Sequence, residues 1–117
     1  MKKDVVFLNT NIYNTIIDNM PSNNICSSIA YFYSVFGDVT RLKVIIALSL
    51  SEMCVNDLSK VLNINQTTIS HQLKILKSIG AVTITKKNKY TFYKITDKFV
   101  NEAMLNGMDY IINKKAV

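Results

Sequence analysis

A mostly α-helical fold carrying one small β-hairpin is what this sequence predicts, and three observations predict it. Apolar residues recur at helical spacing through most of the chain. Two short runs rich in Val, Ile, Thr, Tyr and Phe, Ala81 to Lys86 and Tyr90 to Ile95, are joined by Lys87-Asn88-Lys89 and read as a hairpin. Ahead of them stand a short amphipathic segment, a polar turn and a longer segment with a polar leading face. Two helices across a tight turn, followed by a hairpin, describe a winged helix-turn-helix.

Taken in order, Asp4 is positioned to cap a helix running to about Asn19, with Val5, Leu8, Ile12 and Ile16 on one side. Pro21-Ser22-Asn23-Asn24 breaks it, which closes the amino-terminal helix segment, 1–24. A second helix, about Ile25 to Phe36, presents Ile29, Phe32, Tyr33 and Phe36. Gly37-Asp38 interrupts, and Asp38 caps a third helix, about Val39 to Leu50, whose Leu42, Ile45, Ile46 and Leu48 are core candidates. Residues 54–79 hold the helix-turn-helix. Its first helix, to Leu62, has Cys54 at the N-cap and Asp57 at the third position, with Val55, Leu58, Val61 and Leu62 apolar. Asn63-Ile64-Asn65 is the turn.

The second helix of the pair starts from Asn65, a good N-cap, and buries Ile69, Leu73, Leu76 and Ile79 before Gly80 ends it. Its other side carries Gln66, Thr67, Thr68, Ser70, His71 and Lys74. These hydrogen-bonding groups crowd the first turns, the part of a recognition helix that meets base edges in a major groove. Residues 81–95 form the hairpin, with Asn88 suited to positive φ at its turn. Thr96-Asp97 then caps a helix over 96–115, with Val100, Ala103, Met104, Gly107, Met108 and Ile111 on one stripe. Ala103 and Gly107 are four apart and lie on one face, where a second helix could approach closely. That stripe is broader than one small domain needs, which predicts a homodimer through the amino- and carboxy-terminal helices.

Length and composition agree with this picture. A chain of 117 residues is one small domain, 1–117, that buries roughly two-thirds of its surface, so association would help it. The apolar share of 49% supports a core. The run Val5 to Leu8 is too short for a signal peptide, and no stretch approaches ~18 apolar residues, so a soluble, cytoplasmic protein without membrane contact is expected. Two cysteines, Cys26 and Cys54, make no disulfide framework.

Charge is more informative once located. The net charge is +6, and residues 54–94 account for all of it, with seven lysines against Asp57. A protein that meets polyphosphate concentrates its field in this way; the plainer alternative is a solvated lysine-rich face. One His, two Cys and the lack of paired carboxylates or a glycine-rich phosphate loop speak against an enzyme.

Four motifs in sequence now carry a resemblance: Gly37-Asp38-Val39-Thr40-Arg41-Leu42, Glu52-Met53-Cys54-Val55-Asn56-Asp57-Leu58, Gln66 to Leu76, and Tyr90-Thr91-Phe92-Tyr93-Lys94. Together they resemble the ArsR/SmtB family of winged-helix repressors over roughly residues 28 to 113. Val39 stands where the family usually has proline. The resemblance implies a symmetric dimer on an inverted-repeat DNA operator, released when an effector binds. It implies that Gln66, Thr68, Ser70 and His71 face the groove, that Gln72 and Lys74 meet phosphates, and that the hairpin lysines Lys86, Lys87 and Lys89 supply sequence-independent attraction. For His71 the competing reading is a helix-surface histidine with no special task.

Departures from that family's pattern speak against metal ligation at its usual positions in this chain. The thiol motif at the short helix reads Cys54-Val55-Asn56, with one cysteine missing, and the motif on the last helix reads Asp97-Lys98-Phe99, with Tyr110 and Asn113 where histidine or glutamate would stand. Only Cys54 and Asp97 remain as remnants, whereas a tight zinc site wants three or four N, S or carboxylate ligands. No cofactor is therefore expected with certainty. Cys54 is either a cysteine standing in for a serine cap or a thiol made reactive by a helix N-terminus, with Cys26 its possible redox partner. The alternative functions are a winged-helix protein interaction module and an effector-independent DNA-binding regulator.

Overall fold

Capping and apolar spacing set the order of elements in this chain, whose computed structural model describes residues 6–95 and 98–115. The helices are α1 (Thr10–Asn19), α2 (Asn23–Ser34), α3 (Val39–Leu50), α4 (Val55–Leu62), α5 (Gln66–Ser78) and α6 (Lys98–Lys115). A 3₁₀ turn, Val35–Gly37, follows α2, and strands β1 (Val82–Lys87) and β2 (Tyr90–Ile95) lie between α5 and α6. Two compact units meet in the chain between Phe32 and Tyr33. No described helix is long and apolar enough to cross a membrane.

In the first unit, α1 starts five residues later than an Asp4 cap would place it. Asn9 is the N-cap, its Oδ1 accepting the Ile12 N–H at 2.9 Å. An asparagine side chain there satisfies a first-turn donor, so the helix begins at Thr10 and leaves Val6 and Leu8 outside it. Asp4 itself lies outside the described residues. After Pro21, Ser22 plays the same part for α2, accepting from the Ile25 N–H at 3.2 Å, which starts that helix at Asn23. Every described residue before Phe32 is exposed, including Ile12, Ile16, Ile25 and Ile29.

The second unit is built around α3. Asp38 caps it as its sequence suggests, accepting the Arg41 N–H at 2.8 Å. Val44, Ile45, Ala47 and Leu48 are buried, whereas Leu42 and Ile46 are only half-buried. Against α3 pack α4, α5, β2 and α6, and the shared core includes Leu58, Ile69, Leu73, Leu76, Ala81, Val82, Val100 and Met104. Val61, apolar in the α4 pattern, is 66% exposed instead. Helix α2 stops at Ser34, and the 3₁₀ turn rather than helix carries Val35 into the core at 2% exposure.

Both helices of the helix-turn-helix end on left-handed residues. Asn63 takes φ 55 after α4, and the Ile64 N–H returns to the Ser59 carbonyl at 3.1 Å. Gly80 takes φ 74 after α5. Its N–H bonds the Lys77 carbonyl at 3.0 Å and the Ala81 N–H bonds the Leu76 carbonyl at 2.9 Å. That pair of bonds satisfies the last helical carbonyls and turns the chain into β1, a geometry in which a Cβ is strained.

The hairpin register runs from Val82↔Ile95 to Lys87↔Tyr90. The strand therefore begins one residue later than expected and its loop is only Asn88-Lys89, with Asn88 at φ 58. Met53 adds a bridge on the far side of β2, accepting the Tyr93 N–H at 2.8 Å and donating its own to the Tyr93 carbonyl at 3.1 Å. The α3–α4 connection is thus tied to the hairpin. Helix α6 begins at Lys98; the expected Thr96-Asp97 cap lies outside the described residues.

Candidate nucleic-acid interface

Helix α5 presents its leading face because its opposite face is consumed by the core. Ile69, Gln72, Leu73 and Leu76 are buried, at spacings of three and four, and this leaves Gln66, Thr67, Ser70, His71 and Lys74 exposed and Thr68 half-buried. The first turn is set by Asn65, whose Oδ1 accepts the Thr68 N–H at 2.8 Å. Gln66 donates from Nε2 to Oδ1 of Asn56 at 3.0 Å, tying the start of α5 to α4. One amide bond of this kind leaves a donor on Asn56 and an acceptor on Gln66 free for a ligand.

Gln72 departs from its expected place at a phosphate. It is 7% exposed, and its Oε1 accepts from Nε of Arg41 at 3.0 Å. Arg41 also donates from Nη1 to the Val35 carbonyl at 3.4 Å. The amide turns inward because the half-buried guanidinium needs an acceptor that the surrounding apolar side chains cannot supply. Gln72 is therefore a strut between α3 and α5.

The hairpin lysines Lys86, Lys87 and Lys89 are all exposed, as are Lys60, Lys74 and Lys77. They are not equivalent. Lys87 forms an ion pair with Glu52 in the α3–α4 connection, and its Nζ stands 5.2 Å from the centre of the Phe92 ring. No such ion pair is seen for Lys86 or Lys89 among the described residues. Asn56, Glu52 and Arg41 had no assigned role from sequence. Glu52 is the only acidic residue between Asp38 and Asp57, and that isolation in a basic half-chain is the signal that could have marked it.

At Cys54 the structure confirms the N-cap position but not the capping bond: its side chain accepts no hydrogen bond from α4. Sulfur is a weak acceptor, so the thiol makes no capping bond to the first turn of α4. Both cysteines are free, Cys26 exposed and Cys54 half-buried. At the positions that the resemblance singles out, Asn56 offers no thiolate, and the Asn113 amide donates to Oδ1 of Asp109 at 2.9 Å. Asp97 lies outside the described residues.

The carboxy-terminal stripe is shared between two environments. Val100 and Met104 are buried in their own chain, Ala103 and Met108 are half-buried, and Gly107 and Ile111 are exposed. Together with Phe36 and Leu42, the α6 residues Ala103, Met104, Gly107, Met108, Ile111 and Ile112 wall a cavity of about 490 Å³, and a Cβ added at Gly107 would meet nothing within 4 Å.

Residues 38–83, which contain α3, α4 and α5, match the model of the bacterial regulatory protein, arsR family. The cadmium resistance transcriptional regulatory protein CadC of Listeria innocua is 34% identical over 89 residues, 75% of this chain and 71% of that protein. The chain belongs to the ArsR family. An SmtB homolog, a transcriptional repressor of Synechocystis, is 33% identical over 82 residues, 70% of this chain; the aligned part spans 62% of that relative's length. Among solved structures, the antimony-specific repressor AntR matches at a TM-score of 0.76 with 21% identity, covering 85% of this chain and 90% of that one. A homodimeric winged helix-turn-helix DNA-binding domain from Mycobacterium bovis matches at 0.66 with 20% identity, covering 84% and 92%. These likenesses establish the winged helix-turn-helix fold of this ArsR-family chain.

Proposed function

We propose that this ArsR-family protein is a cytoplasmic, sequence-specific DNA-binding repressor that acts as a homodimer on an inverted-repeat operator, with no catalytic role for any residue. The observation that carries the reading is the leading face of α5, polar and exposed over its first two turns, in the same compact unit as the lysine-bearing hairpin. Gln66, Thr67, Thr68, Ser70 and His71 are the base-edge candidates: glutamine pairs with adenine, hydroxyls with either partner of a base pair, and the Thr68 methyl with thymine. Lys74, Lys86 and Lys89 supply the phosphate attraction that fixes register without reading sequence.

Two copies of α5 related by a two-fold axis would address half-sites one helical turn apart. The exposed part of the α6 stripe and the open wall at Gly107 favour dimerisation through the terminal helices. The effector part of the proposal rests on Cys54, a free, half-buried thiol at the N-terminus of α4, open to an electrophile or oxidant. Metal analysis of the purified protein, with thiol alkylation in parallel, tests that part. The DNA-binding part is tested by titrating salt against binding to random duplex and to the protein's own upstream region. Steep salt dependence on both, with tighter binding to the upstream region, is expected; salt-insensitive or absent binding would overturn it.

A further inference from the structure

Lys87 differs from the other lysines of the hairpin in what surrounds it. It closes β1 opposite Tyr90, and Phe92 is its diagonal neighbour on the same face of the hairpin. Its ammonium stands over the Phe92 ring and touches the carboxylate of Glu52, with the two side chains 57% and 26% exposed. Glu52 reaches it from the connection that the Met53–Tyr93 bridge fastens to β2, so the carboxylate is carried on a segment whose backbone is locked to the hairpin. The pair is neutral as a unit. A neutral pair condenses no phosphate and releases no counterion.

We propose that Glu52 masks Lys87, removing one positive charge from the hairpin's DNA-facing field and so holding down affinity for DNA of any sequence. The proposal rests on the DNA-binding reading above. Specificity is a ratio of specific to random binding, and a carboxylate that competes with phosphate for one lysine lowers the sequence-independent part of that ratio. Lys86 and Lys89 then carry the hairpin's phosphate contacts, and Glu52 tunes how strongly any duplex is held.

The test is a cycle of Glu52→Gln, Lys87→Met and the double variant, measured as full-length protein against random duplex over a range of salt. Glu52→Gln frees Lys87 and should bind random duplex about three- to tenfold more tightly at low salt, with the salt slope steeper by about 0.9. Lys87→Met leaves Glu52 unpaired and should weaken binding by a similar factor. The double variant should return close to the wild-type affinity and slope. If Glu52→Gln weakens binding or leaves the slope unchanged while wild type shows steep salt dependence, the masking proposal falls and the DNA-binding reading stands. If wild type shows no salt-dependent binding, both fall.

Discussion

Nε of Arg41 donates to Oε1 of Gln72 at 3.0 Å, joining the first turn of α3 to the middle of α5 by a charge-assisted bond that is half shielded from water. The bond places Gln72 in the framework of the interface and takes it off the surface that would meet DNA. Gln72→Ala should destabilise the fold by about 1.5 to 3 kcal/mol, because the guanidinium loses its acceptor. Urea denaturation measures this directly. A phosphate contact would behave oppositely, with stability unchanged and binding to every DNA sequence weakened about equally.

The same residue shows what could and could not be read from the chain. Ile69, Gln72, Leu73 and Leu76 fall at helical spacing, so periodicity alone puts Gln72 on the inner face of α5. The family resemblance sets its amide at a phosphate instead, and the partner that turns it inward lies 31 residues away in sequence. Local signals were sufficient elsewhere: Asp38 capping α3, Asn65 capping α5, Gly80 ending it and Asn88 turning the hairpin all depend on neighbours within a few residues. Asp4 and Asn9 both have capping chemistry and spacing does not rank them, so the start of α1 after Asn9 is not legible from the chain alone. Contacts across the fold, Lys87 with Glu52 and Gln66 with Asn56, have no periodic signature.

Base reading by α5 predicts a loss confined to the operator. Gln66→Ala and Ser70→Ala should each cost about 1 to 3 kcal/mol on the specific site and much less on random duplex. Fluorescence anisotropy with both DNAs gives the comparison. Equal losses on the two would reassign these residues to the phosphate backbone.

Phosphate attraction by the hairpin predicts the reverse pattern. Lys86→Ala combined with Lys89→Ala should weaken binding to every sequence about equally and lower the salt slope by about 1.8, two released counterions at 0.9 each. A fall on the operator with random binding unchanged would contradict it.

Cys54 occupies an N-cap without performing the hydrogen bond of one. Cys54→Ser supplies an oxygen acceptor at the same place and should raise stability by about 0.5 to 1 kcal/mol, read as a higher urea midpoint at constant slope. No gain would mean that the first-turn donors of α4 are already satisfied by other means.

Dimerisation is best challenged at the residues of α6 that its own chain leaves open. Met104 is a poor choice, since at 3% exposure it belongs to the core of its own unit and Met104→Asp would unfold the protein rather than dissociate it. Ile111 is 50% exposed, and Gly107 has open space where a side chain would stand. Gly107→Leu therefore fits within one chain and removes about 1 kcal/mol of helix penalty, so any harm it does must come from a second molecule. Paired with Ile111→Asp, it should give a folded monomer with unaltered helical circular dichroism and greatly weakened operator binding, because one recognition helix loses the half-site contacts of its twin. Sedimentation equilibrium at micromolar concentration decides the matter: wild type should run as a dimer and the double variant as a monomer, and a monomeric wild type would remove the two-fold operator from the proposal.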